Sequence, residues 1–153
     1  MNKVSERQFP RLDEMDEREA HRFLTQLLAN LDPAEEYAVR HPDYVLEMPQ
    51  SGERIRGRER MRRFQESYST LSPSDPMRRI RLRRVLVRDD LWVVEGVAEY
   101  DDGQEALNVV LILELRDGKM WRDRWYFAEP FEAPAWRARW VERTEHSGDR
   151  KEE

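Results

Sequence analysis

The first half of the chain carries apolar residues at the spacings of three and four that are typical of helices. Within residues 13–31 these positions form one stripe on one helix face, made of Ala20, Phe23, Leu24, Leu27, Leu28 and Leu31. Asp13 is a suitable N-cap for this helix, and Asp32-Pro33 ends it. Pro33 also suits the start of a second helix, which we predict over residues 34–40.

The sequence that follows the second helix predicts a break, a small hairpin and a third helix. Residues 41–43 contain a central proline and interrupt the helical pattern. Residues 44–48 form a short predicted strand, and residues 53–56 pair back with it across a glycine-containing turn. The third helix is predicted over residues 58–69, and its apolar side is formed by Met61, Phe64 and Tyr68.

The second half of the chain alternates polar and apolar residues with the period of two that is typical of strands. Four strands are predicted, over residues 78–88, 91–100, 106–115 and 119–131. The turns between them are short and rich in aspartate and glycine, which predicts an antiparallel meander. Helices followed by such a sheet indicate an α+β fold, in which a strongly curved sheet is closed by the N-terminal helices. Gly96 and Ala98 are candidates for the positions where the sheet bends.

The last predicted strand places an acidic residue in an aromatic row. Trp121, Asp123, Trp125 and Phe127 fall on one face at period two. If this face lines a pocket, loss of solvent favours the neutral form of the Asp123 carboxyl, which could then act as a general acid or base near neutral pH. The alternative is that Asp123 forms a structural ion pair with a neighbouring arginine, and the sequence favours this alternative because an unpaired buried charge is costly.

Composition narrows the classes of function. The chain has 153 residues, of which 39% are charged and 10% aromatic, with a net charge of -5. Absence of cysteine excludes disulfides, thiolate catalysis and cysteine-zinc sites. The three histidines, His21, His41 and His146, have no metal-binding spacing, so we expect neither a metal nor a cofactor.

A basic segment over residues 78–84 has two interpretations. It could contact an anion or nucleic acid, or it could pair across strands with Glu95, Glu99 and Glu114. The negative net charge favours the second interpretation, and no nucleic-acid partner is expected.

One domain is expected, over residues 13–142. A flexible arm over residues 1–12 precedes it, and a charged tail over residues 143–153 follows it. No apolar run reaches the roughly 20 residues of a membrane helix. The first residues also lack the apolar core of a signal peptide, so a cytoplasmic protein without a membrane partner is predicted.

Two segments resemble a known family. Residues 46–61, with the run Met48-Pro49-Gln50-Ser51-Gly52, resemble the SnoaL-like branch of the nuclear transport factor 2-like superfamily. The turn Asp117-Gly118-Lys119, followed by Tyr126-Phe127, is similar to the same branch. The resemblance covers residues 13–142 and implies a cone of helices against a curved sheet. The family includes polyketide cyclases, ketosteroid isomerases, epoxide hydrolases and proteins without any reaction, so it does not define function.

The catalytic positions implied by the resemblance are mostly apolar in this chain. The general base, the oxyanion-stabilising tyrosine and the protonated aspartate of the isomerases fall at Met48, Phe23 and Leu111. Steroid isomerisation by that apparatus is therefore not expected. Trp125 stands where the cyclases and epoxide hydrolases commonly carry aspartate, and Asp123 stands where many members carry histidine.

Two hypotheses of function remain open at this point. The first is a binding module for a small apolar molecule, with a ligand pocket formed by Phe23, Leu27, Met48, Phe64, Tyr68, Leu111, Trp121, Trp125 and Phe127. The second is a small cofactor-independent enzyme of the isomerase, cyclase or hydratase type, with Asp123 as general acid–base residue. We favour the first because only one carboxylate remains on the pocket face. The resemblance also implies a homodimer formed through the sheet.

Overall fold

The computed structural model of the protein describes residues 11–71, 77–100 and 106–144. Three α-helices precede most of the sheet: α1 (Glu17–Asn30), α2 (Pro33–Val39) and α3 (Arg58–Leu71). The six strands are β1 (Arg40–Met48), β2 (Glu53–Arg56), β3 (Met77–Arg88), β4 (Leu91–Tyr100), β5 (Leu107–Arg116) and β6 (Lys119–Ala128). The remaining residues, which include most of the predicted arm and of the predicted tail, lie outside the described part: 1–10, 72–76, 101–105 and 145–153.

The six strands form one sheet in the order β2-β1-β6-β5-β4-β3. Strands β3 to β6 pair in antiparallel register as a meander, and β2 pairs back on β1 as a hairpin, so both predictions are confirmed. Strand β1 pairs in parallel with β6, so the first and the last strand along the chain are neighbours in the sheet. The predicted α+β class, with N-terminal helices against a curved and open sheet, is confirmed.

Helix α1 begins later than the sequence pattern predicts. Its N-cap is Asp16, which accepts a hydrogen bond from the Glu19 N–H at 2.8 Å, and the prediction of Asp13 is wrong. Asp13 lies instead in a 3-10 turn (Leu12–Glu14) that precedes the helix. Leu12 is only 1% exposed and its N–H donates to the Gly118 carbonyl, so Leu12 is packed against the domain and is not part of a loose arm.

The predicted break at residues 41–43 is also wrong, because β1 already begins at Arg40. Arg40 pairs with Met120 of β6, and the register then shifts before Val45 pairs with Arg122. The proline at position 42 therefore lies in an irregular part of an existing strand.

The sheet bends next to Gly96, as predicted. Leu82 of β3 pairs with Gly96, whereas Arg84 pairs with Glu95, so β3 carries one extra residue opposite this glycine. A Cβ atom at position 96 would lie 2.7 Å from the Arg81 carbonyl oxygen. Glycine therefore permits the close approach of the two strands at the bend.

Cross-strand ion pairs account for only part of the basic segment. Arg79 and Arg81 both donate to Glu99, at 2.6 and 2.8 Å. Arg83 and Arg84 have no carboxylate partner within the described residues, where they face the exposed side of α1 across a shallow groove. The interpretation as paired charges is thus confirmed for Arg79 and Arg81 and wrong for Arg83 and Arg84, and the side chain of Arg78 lies outside the described part of the chain.

After β6 the chain leaves the sheet. The last strand ends at Ala128, three residues earlier than predicted, and a 3-10 helix follows over Ala135–Trp140. Trp136 and Trp140 are 74% and 65% exposed, so neither side chain covers the sheet within this chain. None of the described helices is long and apolar enough to cross a membrane.

Candidate ligand-binding cavity

A cavity of about 580 Å³ lies between the N-terminal helices, α3 and the concave face of the sheet. Its volume falls within the range of about 300–1,000 Å³ that is usual for small-molecule sites. The wall is mostly apolar, and the helices contribute Leu24, Leu27, Leu28, Leu31, Pro33, Phe64 and Tyr68. The sheet contributes Met48, Ile80, Val94, Tyr100, Leu107, Leu111, Leu113, Met120, Trp125 and Phe127.

Four buried or half-buried polar residues interrupt this apolar wall: Glu36, Arg40, Gln65 and Asp123. Glu36 comes from α2, Arg40 from the start of β1, Gln65 from α3 and Asp123 from the middle of β6. Because β1 lies beside β6, the polar residues of α2 and β1 are brought to the same side of the cavity as Asp123. Asp123 on β6 and Glu36 on α2 are therefore close enough for their charges to interact.

Asp123 is 7% exposed and is held by two neutral donors. The indole N–H of Trp125 donates to its Oδ2 at 2.8 Å, and the hydroxyl of Tyr44 donates to the same oxygen at 3.2 Å. Within the described residues, Oδ1 of Asp123 has no hydrogen-bond partner. The carboxyl therefore has unused capacity to accept a hydrogen bond.

Burial raises the pKa of Asp123 from its ordinary value of 3.8 to about 6, because the charged form loses solvent. The hydrogen bond from Trp125, the positive charge of Arg40, the hydrogen bond from Tyr44 and the nearby backbone N–H of Arg124 act in the opposite direction and limit the rise. Burial also raises the pKa of Tyr44 well above 10, so this hydroxyl keeps its proton and remains a donor. Asp123 consequently changes its charge near neutral pH, while Tyr44 does not.

The second polar cluster consists of Glu36, Arg40 and Gln65. Arg40 donates to the Gln65 side-chain oxygen at 2.7 Å and lies 3.6 Å from a Glu36 oxygen. The Gln65 amide nitrogen donates to the other Glu36 oxygen in a short hydrogen bond, which closes the cluster. Burial raises the pKa of Glu36, and the positive charge of Arg40 opposes that rise. The Arg40 guanidinium also lies 4.7 Å from the centre of the Tyr44 ring, which links this cluster to Asp123.

The structure places most of the predicted pocket residues in the cavity wall. The predicted residues that line it are Leu27, Met48, Phe64, Tyr68, Leu111, Trp125 and Phe127, together with Asp123. The ring of Phe127 lies edge-on against Trp125, with 5.9 Å between the ring centres. Their role in binding a ligand stays a prediction.

Trp121 does not line this cavity, and the prediction for it is wrong. The pairing of β5 with β6 shifts between Glu114 and Leu115, which pair with Arg122 and Met120 respectively. This bulge leaves Trp121 without a partner on β5 and puts Met120 in its place on the concave face. Trp121 instead lies beside the guanidinium of Arg122, 4.8 Å from its ring centre.

Phe23 is also absent from the cavity wall, against the prediction. The buried residues of α1 are Ala20, Leu24, Leu27 and Leu28. Phe23 lies at the edge of this stripe, where it is half-buried and packs against the core. The helical period places it beside the face that looks into the cavity rather than on it.

Sequence reasoning missed Glu36, Arg40, Gln65 and Tyr44. The available signal was the spacing of four between Glu36 and Arg40 on one predicted helix, which brings opposite charges together. Such pairs usually lie on solvated faces, so the spacing alone does not show that this one is buried. Among the described residues, no three His, Asp or Glu side chains are grouped closely enough to hold a metal ion.

The model of the SnoaL-like domain family matches residues 20–123. No curated protein matches the chain.

Solved structures share the fold over most of the chain. A nuclear transport factor 2-like protein of unknown function from Burkholderia xenovorans is 33% identical, with a TM-score of 0.65, over 84% of this chain and 94% of that chain. A putative ketosteroid isomerase from Kribbella flavida is 29% identical, with a TM-score of 0.69, over 84% and 90% of the two chains. An epoxide hydrolase-like protein from M. tuberculosis is 20% identical, with a TM-score of 0.55, over 69% and 77% of the two chains, and shares the fold alone.

The family match spans well over half of the 153 residues, and the Burkholderia relative is similar over nearly its whole length. The cavity lies in the concave sheet that this fold provides. The protein therefore belongs to the SnoaL-like domain family.

Proposed function

We propose that this protein binds a small, largely apolar molecule in the cavity, with one polar group of the ligand placed against Asp123. The observation that carries the proposal is the cavity itself, which has a suitable volume and an apolar wall with a few buried polar side chains. Such sites gain affinity from the burial of apolar ligand surface and gain orientation from the polar groups.

A cavity-filling substitution with a matched control tests this proposal. Leu111 lies on β5, is buried and faces the cavity, whereas Val110 beside it is exposed on the opposite face of the same strand. Leu111→Phe adds a ring inside the cavity, and Val110→Phe adds the same ring outside it. We expect Leu111→Phe to weaken binding of small aromatic ligands at least tenfold in calorimetric titrations, because it removes the space they need.

The control variant Val110→Phe should bind these ligands as the unchanged protein does. Thermal shift provides an independent measurement, since a ligand that binds only the folded state raises its stability. Equal weakening in both variants, or unchanged binding in Leu111→Phe, would show that the ligands bind elsewhere.

A second candidate function is a cofactor-independent enzyme of the isomerase, cyclase or hydratase type, with Asp123 as the general acid–base residue. The observation that favours it is the convergence of buried polar groups: the carboxyl of Asp123, with a pKa of about 6, lies in the same wall as Arg40 and Glu36. A base with this pKa accepts a proton efficiently near neutral pH. The Kribbella flavida structure, a putative ketosteroid isomerase, is consistent with such chemistry on this fold.

Proton exchange distinguishes the two candidate functions. An enzyme of the isomerase or cyclase type should exchange the protons next to the carbonyl of a bound cyclic ketone in deuterated water, and Asp123→Asn should abolish the exchange. Absence of exchange above the rate in buffer for every ketone that binds would remove these two types of enzyme and leave the binding function.

We further propose that two copies pair through the outer face of the sheet. This face carries paired charges such as Glu114 with Arg122 and Glu47 with Arg124, and the exposed Val110 lies among them. A mixed surface of this kind supports an interface that is partly polar. A cytoplasmic location remains a prediction from the sequence.

A further inference from the structure

The polar wall of the cavity contains more negative than positive groups. Two carboxyls, Glu36 and Asp123, and one guanidinium, Arg40, lie in it, and all three side chains are buried. The remaining carboxylate in the wall is that of Glu66, which is exposed and already paired with Arg62 at 2.9 Å. With both buried carboxyls ionised, the interior of the wall carries one net negative charge.

The excess charge belongs to Asp123 rather than to Glu36. Glu36 lies 3.6 Å from the Arg40 guanidinium and accepts a hydrogen bond from Gln65. Asp123 has two neutral donors, Tyr44 and Trp125, both of which bond to Oδ2. Its other oxygen is buried and has no hydrogen-bond partner within the part of the chain that the structure describes. A buried charge without a counter-charge is unfavourable, and either a proton or a cation can neutralise it.

The rest of the cavity favours a cation on an apolar frame. The wall includes the aromatic rings of Trp125, Phe127, Phe64 and Tyr68. The faces of aromatic rings attract cations and not anions. A protonated amine has only donors and no acceptors, which matches the unused acceptor Oδ1 of Asp123. The buried Nε–H of Arg40 also has no partner within the described residues, and this donor remains unused when an amine binds. A carboxylate ligand would instead add a second uncompensated negative charge beside Asp123.

We propose that the ligand of this cavity is an apolar amine, whose protonated amino group donates a hydrogen bond to the Asp123 carboxylate. This inference rests on the proposed binding function and assigns the chemical class of its ligand. The protonated amine supplies the counter-charge that Asp123 lacks, and the apolar part of the ligand fills the space between α1 and the sheet. A neutral alcohol of the same shape can donate a hydrogen bond but cannot supply the charge.

Binding of an amine is then linked to the protonation of Asp123. The groups that face this carboxyl are Tyr44 on β1, the Arg40–Glu36 pair beside it and the Trp125 indole. Tyr44 keeps its proton near neutral pH because burial raises its pKa, so Asp123 is the group at this position whose charge changes there. Burial also raises the pKa of Glu36, and the positive charge of Arg40 opposes that rise. Because the pKa of Asp123 is about 6, protons compete with the amine below this pH, and affinity should fall as the pH falls.

Matched ligands test the inference. Naphthylmethylamine, naphthylmethanol and naphthoate share a frame and differ in charge, and cyclohexylmethylamine, cyclohexylmethanol and cyclohexanecarboxylate repeat the comparison on a smaller frame. By calorimetric titration at pH 7.5 we expect the amine of at least one frame to bind about tenfold more tightly than its alcohol, since hydrogen bonds between charged groups are roughly twice as strong as neutral ones. We expect amine affinity to fall about tenfold between pH 7.5 and pH 5, as the ionised fraction of Asp123 falls, while alcohol affinity stays unchanged.

Two variants complete the test. Asp123→Asn keeps an acceptor but removes the charge, so it should abolish both the preference for the amine and the pH dependence. Asp43→Asn removes an exposed carboxylate one residue from Tyr44 and should change neither.

The possible failures can be told apart. If the alcohol or the carboxylate binds as tightly as the amine, the assignment of an amine is wrong while the binding function stands. If no member of either series binds, the binding function is wrong as well. An amine affinity that is independent of pH in the unchanged protein would overturn the role of Asp123 even if Asp123→Asn failed to fold.

Discussion

Replacement of Asp123 by asparagine should remove a pH-dependent cost of folding. The folded protein raises the pKa of this carboxyl from 3.8 to about 6, so the folded state favours the protonated form. Stability from this group is therefore fully present below pH 3.8 and is lost as the pH rises through 6. A difference of about two pH units corresponds to about 3 kcal/mol of unfolding free energy at pH 7.5.

The asparagine side chain keeps a carbonyl oxygen that can accept from Trp125 and Tyr44, so the main change is the loss of the charge. At pH 7.5 we expect Asp123→Asn to be as stable as the unchanged protein or more stable, by at most about 3 kcal/mol. The difference in unfolding free energy between the two proteins should shrink by about 2 kcal/mol between pH 7.5 and pH 4.5. Glu36, whose pKa is also raised, is present in both proteins, but the charge of Asp123 contributes to that rise, so the Glu36 contribution cancels only in part.

Urea unfolding at a series of pH values measures this difference directly. Asp43→Asn serves as the control, because Asp43 is exposed and removal of its charge should leave the pH dependence unchanged. A stability difference for Asp123→Asn that does not vary with pH would refute the reasoning, since it would mean that Asp123 titrates alike in the folded and unfolded chains.

The remaining predictions concern the neighbour of Asp123 and the assembly. Tyr44→Phe removes a donor to the ionised form of Asp123. The pH at which half of the amine affinity is lost should therefore rise from near 6 by about one pH unit. An unchanged or lower midpoint would contradict a stabilising hydrogen bond from Tyr44 to Asp123. A dimer that forms through the charged outer face of the sheet should weaken as salt is raised, so sedimentation velocity should show a dimer at low ionic strength and a larger monomer fraction at high ionic strength. Monomers under both conditions would remove the dimer.

The sequence predicts the elements of this fold well because their signals are local. The stripe of α1, the alternation of β4 and β5 and the Asp117-Gly118 turn each follow from the period or the chemistry of neighbouring residues. The ends of elements are less predictable, as Asp13 shows. Two acidic residues three apart can each cap the same helix, and tertiary contacts of Leu12 with Gly118 decide between them.

The site is only partly predictable, because two of its features depend on pairing between distant strands. The bulge at Trp121 is a register shift against β5, and an alternating pattern within β6 contains no sign of it. The parallel pairing of β1 with β6 brings Tyr44 and Arg40 to Asp123, although 79 and 83 residues of sequence separate them. The residues next to Asp123 in the sequence, Arg122 and Arg124, do not line the cavity, and of its two side-chain donors only Trp125 is near it in the sequence.

The polar residues of the cavity also explain why the position-by-position comparison with ketosteroid isomerases left the function open. Met48 and Leu111 line the cavity and carry no ionisable group, whereas Phe23 lies outside it. The polar groups of this protein are contributed instead by α2, the start of β1 and α3. The same fold thus presents a different polar set, so the function has to be tested on these residues.

The most direct test of the account is the titration of the Asp123 carboxyl carbon by NMR, with and without naphthylmethylamine. We expect a midpoint near pH 6 in the free protein and a clearly lower midpoint in the presence of the amine, because a buried carboxyl that binds a cation holds its charge more strongly. A midpoint near 4 that the amine does not move would contradict the claim that Asp123 is the buried acidic group of a ligand-binding cavity.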